Sequence, residues 1–171
     1  MTFTWADFES AEPDFAGIVR RRFQTYRHHV LATLRKDGSP RLSGLEVTFL
    51  SGELWLGMMP NSLKARDLLR DPRCAVQANP GAGDGTAGGT ADGDARIGGR
   101  AVAVTDGSLV ARFAERTGAP RPFHLFRLEL SEAVRTAVEG EELVVRIWHP
   151  GRPPRTVRRG NGDGPPREEG T

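Results

Sequence analysis

A chain of 171 residues, 37% hydrophobic and 27% charged, has the length and composition of one globular domain rather than of a disordered segment. Its 24 basic and 22 acidic residues leave a net charge of +2, which argues against a broad phosphate-binding face for nucleic acid. Cys74 is the single cysteine, which excludes an internal disulfide. No apolar run approaches the roughly 20 residues that span a bilayer, and the first residues lack a basic-then-apolar leader, so a cytoplasmic protein is expected.

Residues 13–28 read as a helix. Pro13 suits a first helical turn, and Phe15, Ile18, Val19, Phe23 and Tyr26 fall on one apolar stripe. The pattern then changes to period two. Val30, Ala32 and Leu34 alternate over 29–36, Leu45, Val47 and Phe49 over 41–50, and Leu54, Leu56 and Met58 over 53–59. Asp37-Gly38 and Ser51-Gly52 are hairpin turn pairs, so the three runs predict an antiparallel meander. Ser62 is placed to cap a short helix running to Leu69, which Asp71-Pro72 ends. Residues 73–78 follow as a fourth strand.

Residues 79–94 hold no large apolar side chain and are expected to form a long mobile hairpin loop. Their glycines lack the strand-to-helix setting of a phosphate-cradling loop. Residues 95–105 read as a strand in which Gly98-Gly99 marks a bulge or a close backbone approach. A short helix over 109–116 is stopped by Gly118 and Pro120, and two strands follow over 123–138 and 143–148. From Gly160 the chain is Gly, Pro and charge, and is expected to be a disordered tail on a single domain spanning 1–159. Six to seven strands with few helices predict a mainly β protein, a small closed or split barrel, since closure removes exposed edges.

The sequence has no nucleophile motif, no paired carboxylates at helical spacing and no zinc-type cluster. His28 and His29 are adjacent and would point to opposite faces of a strand; His124 and His149 are isolated, and all four read as structural or surface residues. Cys74 reads as a small buried hydrophobe. The segment that carries a chemical signal is 61–73. Nearly every basic residue of the chain is arginine, yet Lys64, one of only two lysines, falls in the first turn of the predicted helix. Helix N-termini favour anions, so a lysine there is unfavourable unless a bound phosphate, or a neighbouring carboxylate such as Asp67 or Asp71, offsets it. Local physics leaves these two readings level.

A strand followed by Ser62-x-Lys64-x-Arg66, two leucines and Asp71-Pro72-Arg73 resembles the pyridoxamine 5'-phosphate oxidase-like, FMN-binding split-barrel superfamily. The hairpin at 32–41 and the strand at 98–102, with Asp106 after it, are similar to further parts of that fold, over about residues 28–148. The resemblance implies an antiparallel split β-barrel that binds FMN, or the deazaflavin coenzyme F-420, in a groove at a homodimer interface. It implies that Lys64 contacts the cofactor phosphate with Ser62 and Arg66 close by, and that Arg41 lines the groove. Met58 and Met59 would lie beside the ring or ribityl chain, and the backbone of Ser43 and Gly44 near the ring. The implied activity is hydride transfer to or from a small organic substrate, with the cofactor supplying the redox chemistry. The alternative is a non-catalytic flavin- or haem-binding protein, for which the four histidines are the available axial ligands. The Trp148–Arg152 stretch matches the C-terminal substrate segment of true pyridoxamine-phosphate oxidases only loosely, so vitamin B6 oxidation is not carried over.

Overall fold

A computed structural model describes residues 2–81 and 93–169. The chain order is α1 (Trp5–Ala11), α2 (Pro13–Thr25), β1 (His29–Leu34), β2 (Pro40–Leu45), β3 (Val47–Leu50), β4 (Glu53–Met58), α3 (Leu63–Arg70) and β5 (Arg73–Gln77). Then follow β6 (Asp94–Ala103), α4 (Gly107–Thr117), β7 (His124–Glu139), β8 (Glu142–Trp148), β9 (Arg155–Gly160) and β10 (Arg167–Glu168). Most of the Gly-rich stretch expected to be a loop lies outside the described residues.

All strand pairs are antiparallel, and the sheet runs β10-β9-β8-β7-β6-β5-β1-β2, with β4 joined to β7 and β3 joined to β4. β7 is the spine. Its first residues lie between β4 and β6, and its later ones between β6 and β8. The result is a split barrel, with the sheet left open where β2 passes into β3. The run 41–50, expected as one strand, is broken at Glu46: its first half pairs with β1 and its second half with β4, so the three runs are not a simple meander. The alternation of Leu45, Val47 and Phe49 continues across the break, because it records which side faces the core and not which strand is the partner.

The two expected turns form. Ser51 and Gly52 both adopt positive φ, as a two-residue hairpin turn demands, and Gly38 does so at the first hairpin. The Gly98-Gly99 expectation also holds. The β6–β7 register shifts between these glycines, and a Cβ at Gly99 would lie 2.0 Å from the Glu129 carbonyl oxygen. Only glycine allows so close a backbone approach.

Both helices before β1 pack their apolar faces on the open sheet. α2 ends at Thr25, three residues earlier than expected, and α1 was not expected at all. It is fixed by a capping box in which the Thr4 hydroxyl accepts from the Asp7 amide at 3.2 Å and Asp7 Oδ2 accepts from the Thr4 amide at 2.7 Å. Trp5 and Phe8 of α1 join Phe15, Val19 and Phe23 of α2 over Leu31, Leu56, Ile97 and Phe126, and Trp148 is a fully buried member of the same core.

The tail differs from expectation. β9 runs to Gly160, and Arg167–Glu168 pairs with it as β10. Residues from Gly160 to Glu169 are exposed, and Arg158–Glu169, Arg167–Glu142 and Arg155–Glu168 ion pairs fasten them instead of apolar burial.

Candidate cofactor groove

β4 ends at Met58, and the chain turns through Asn61, whose φ is 58°, into α3. Ala65 and Leu68 seat the helix in the core. Between them Asp67, 3% exposed, anchors it to the barrel: its Oδ2 accepts from Thr33 Oγ1 of β1 at 2.9 Å and from Arg41 Nε of β2 at 2.7 Å, and its Oδ1 accepts from Arg70 at 3.1 Å. Burial alone would raise the Asp67 pKa. The hydrogen bonds from Arg41, Thr33 and Arg70, with the Arg41 charge, outweigh burial and hold the carboxyl below its ordinary value. The first turn of α3 is thereby held in a fixed place beside β2.

That turn borders a groove of about 850 Å³, within the span of small-molecule and cofactor sites. Lys64, Gly44, Met58 and Met59, four of the expected site residues, line it. Lys64 Nζ donates to the Gly44 carbonyl at 2.5 Å, which ties the helix start to the end of β2. A Cβ at Gly44 would meet no protein atom within 4 Å. Ser62, Arg66, Arg41 and Ser43 do not line the groove. Arg41 is turned to Asp67, Ser43 lies opposite Leu31 on β1, and Arg66 is exposed with no carboxylate partner among the described residues. Ser62 occupies the N-cap position, but its hydroxyl makes no capping bond, and its Oγ is buried with no partner.

The other lining residues were not anticipated. Arg27 and His28 reach the groove from the α2–β1 junction and both hold Glu46, at 2.9 Å and 3.2 Å, where β2 passes into β3. The C-terminal turn of α4 and the chain into β7 also line it, with Phe113, Arg121 and Phe123. These groups come from separate parts of the sequence, so no local pattern announces them; the Gly118 and Pro120 stop signals only mark where α4 ends. His28, read as a surface or structural residue, is the histidine that lines the groove. His29 is structural: it is buried, its Nδ1 accepts the Asn79 amide at 3.3 Å, and burial lowers its pKa. Burial pushes the Cys74 thiol up to about 12, which keeps it protonated and poorly nucleophilic.

A lysine in the first turn and the free N–H groups of that turn are groups of the kind that bind phosphate at helix N-termini, and the orphaned Ser62 Oγ lies buried at the same helix start.

The fold class is an antiparallel split barrel with a cofactor-sized groove at a helix start. The family model described as pyridoxamine 5'-phosphate oxidase matches residues 19–137, more than half of the chain, and the chain belongs to that family. No curated protein matches it. Among solved structures, protein Rv2991 of Mycobacterium tuberculosis is 23% identical, with a TM-score of 0.53, over 68% of this chain and 81% of its own. A haem-binding protein of Mycobacterium smegmatis is 20% identical, with a TM-score of 0.53, over 87% of this chain and 59% of its own. Protein Atu2129 of Agrobacterium tumefaciens is 23% identical, with a TM-score of 0.52, over 68% and 53%. These likenesses show the fold. No helix among the described residues is long and apolar enough to cross a membrane.

Proposed function

We propose that this chain is a flavin- or deazaflavin-dependent oxidoreductase that uses FMN or coenzyme F-420 and transfers hydride to or from a small organic substrate. The observation that carries the reading is the cofactor-sized groove at the start of α3, with Lys64 of its first turn on the lining. Lys64 and the free N–H groups of the first turn of α3 hold the cofactor phosphate, and Met58 and Met59 flank the rest of the cofactor. The cofactor brings the redox chemistry; the protein binds, orients and excludes water. Arg41 serves by fixing α3 through Asp67. The same reading places the protein in the cytoplasm, where its one thiol stays reduced.

Adding FMN and F-420 in turn to the purified protein tests this. A protein-bound flavin or deazaflavin absorbance band is the expected result, and the absence of both bands would contradict it. A Soret band on adding haem would favour the non-catalytic haem-binding reading instead, with His28, the histidine on the groove wall, as the candidate axial ligand.

The protein works as a homodimer in this reading. Met59 is 75% exposed on the groove, and Leu42, on the outward side of β2, is 71% exposed. Apolar side chains left in water beside a site are what a second copy would cover. Light scattering should give twice the 18.6 kDa of one chain at micromolar concentration. A monomer mass would show that the groove functions within one chain.

A further inference from the structure

The geometry points to a substrate class: an apolar, planar molecule bearing one carboxylate, held at the α4 end of the groove by Arg121. This rests on the cofactor reading above and extends it to the other half of the same site.

The argument starts from charge. Among the described residues, the groove is lined by three fixed cations, Arg27, Lys64 and Arg121, against one carboxylate, Glu46. Glu46 is already engaged by Arg27 and His28. Lys64 sits at the helix start with the phosphate donors. Arg121 remains. It is exposed, lines the groove, and has no hydrogen bond or ion pair among the described residues. Prolines 120 and 122 flank it and limit its backbone freedom, so presenting its side chain costs less entropy than in an open loop. An exposed guanidinium with no partner among the described residues, on the lining of a groove, is suited to a planar two-oxygen anion because its N–H fork matches a carboxylate.

The wall beside it sets the rest of the substrate. Phe113 and Phe123 pack with ring centroids 5.9 Å apart, and both face the groove with Pro120 and Met58. Such a surface accepts a flat apolar body and offers few groups to a sugar or polyol. An aromatic ring packed there would leave its carboxylate for Arg121.

The test uses benzoate, benzamide and benzylamine, which share a ring and differ in charge. Each is titrated into the FMN-loaded protein, with the shift of the flavin band as the readout, and into cofactor-free protein by NMR chemical shifts. Benzoate should bind at least about tenfold more tightly than benzamide, with benzylamine weakest, the scale expected for one charged hydrogen-bonded contact. Arg121→Gln should remove the preference for benzoate while leaving benzamide unchanged, and Arg121→Lys should restore part of it. Equal binding of benzoate and benzamide, or an Arg121→Gln variant that still prefers benzoate, would overturn the inference. The failure of the cofactor reading looks different: FMN and F-420 do not bind. The NMR titration then still shows whether the groove selects the carboxylate through Arg121.

Discussion

Replacing Asp67 with alanine should cost about 3 kcal/mol of folding stability, the lower part of the range for removing one partner of a buried ion pair. The loss is large because one carboxylate serves three donors: Thr33, Arg41 and Arg70. Without it the Arg41 guanidinium, only 18% exposed, keeps its charge in a mostly buried place with no acceptor. Arg70, at 38% exposed, can turn to water, which holds the cost below the upper end of the range. Urea unfolding of the wild type and Asp67→Ala measures it. The pH dependence follows from the direction of the shift. The folded-state pKa lies below the unfolded value of about 3.9, so this stabilisation is complete above that value and is lost as pH falls through the folded pKa. The wild-type and mutant stability curves should therefore lie apart at neutral pH and converge in acid. A constant gap across that window would mean that the charge of Asp67 contributes nothing.

Phe8→Ala should cost about 3–5 kcal/mol, the usual range for truncating a fully buried aromatic. Phe8 is 0% exposed, and its ring lies 5.4 Å from Trp5, 5.5 Å from Phe15 and 4.4 Å from Trp148. It thus joins both N-terminal helices to the last residue of β8. Thermal unfolding should show one transition at lower temperature. A loss below 1 kcal/mol would mean that α1 is a detachable appendage and not part of the core.

The strands and the helix carrying Lys64 were legible because period-two alternation, turn pairs and a cap-then-stop pattern are local signals. α1 was not. It has only seven residues, its two core side chains are too few to define a stripe, and its capping box uses Asp7 where glutamate or glutamine is the usual signature. The break at Glu46 left no mark because facing is kept through it. The C-terminal strand pair was missed for a different reason. Reading order from apolar content fails where charged side chains do the fastening, as Arg158 and Arg167 do here. Lys64 stood out because lysine is rare in this arginine-rich chain and its position conflicts with the helix dipole, whereas Gly44, Met58 and Met59 were named only through the family resemblance. Arg27, Glu46 and the end of α4 reach the groove through tertiary packing, and nothing near them in sequence announces it. Arg41 was expected on the groove, and its bond to Asp67 makes it a brace for α3.

The most direct test of the central claim is the affinity of Lys64→Ala for FMN and F-420, with riboflavin as the phosphate-free control. A charged hydrogen bond of about 1.5–3 kcal/mol corresponds to a roughly ten- to hundredfold loss. The helix should persist, since alanine is the better helix former. The expected result is that the wild type binds a phosphorylated cofactor, that Lys64→Ala binds it ten- to a hundredfold more weakly, and that riboflavin binding is the same for both. Equal affinity of the two proteins for both phosphorylated cofactors would contradict the account and leave Lys64 a surface charge tied to Gly44.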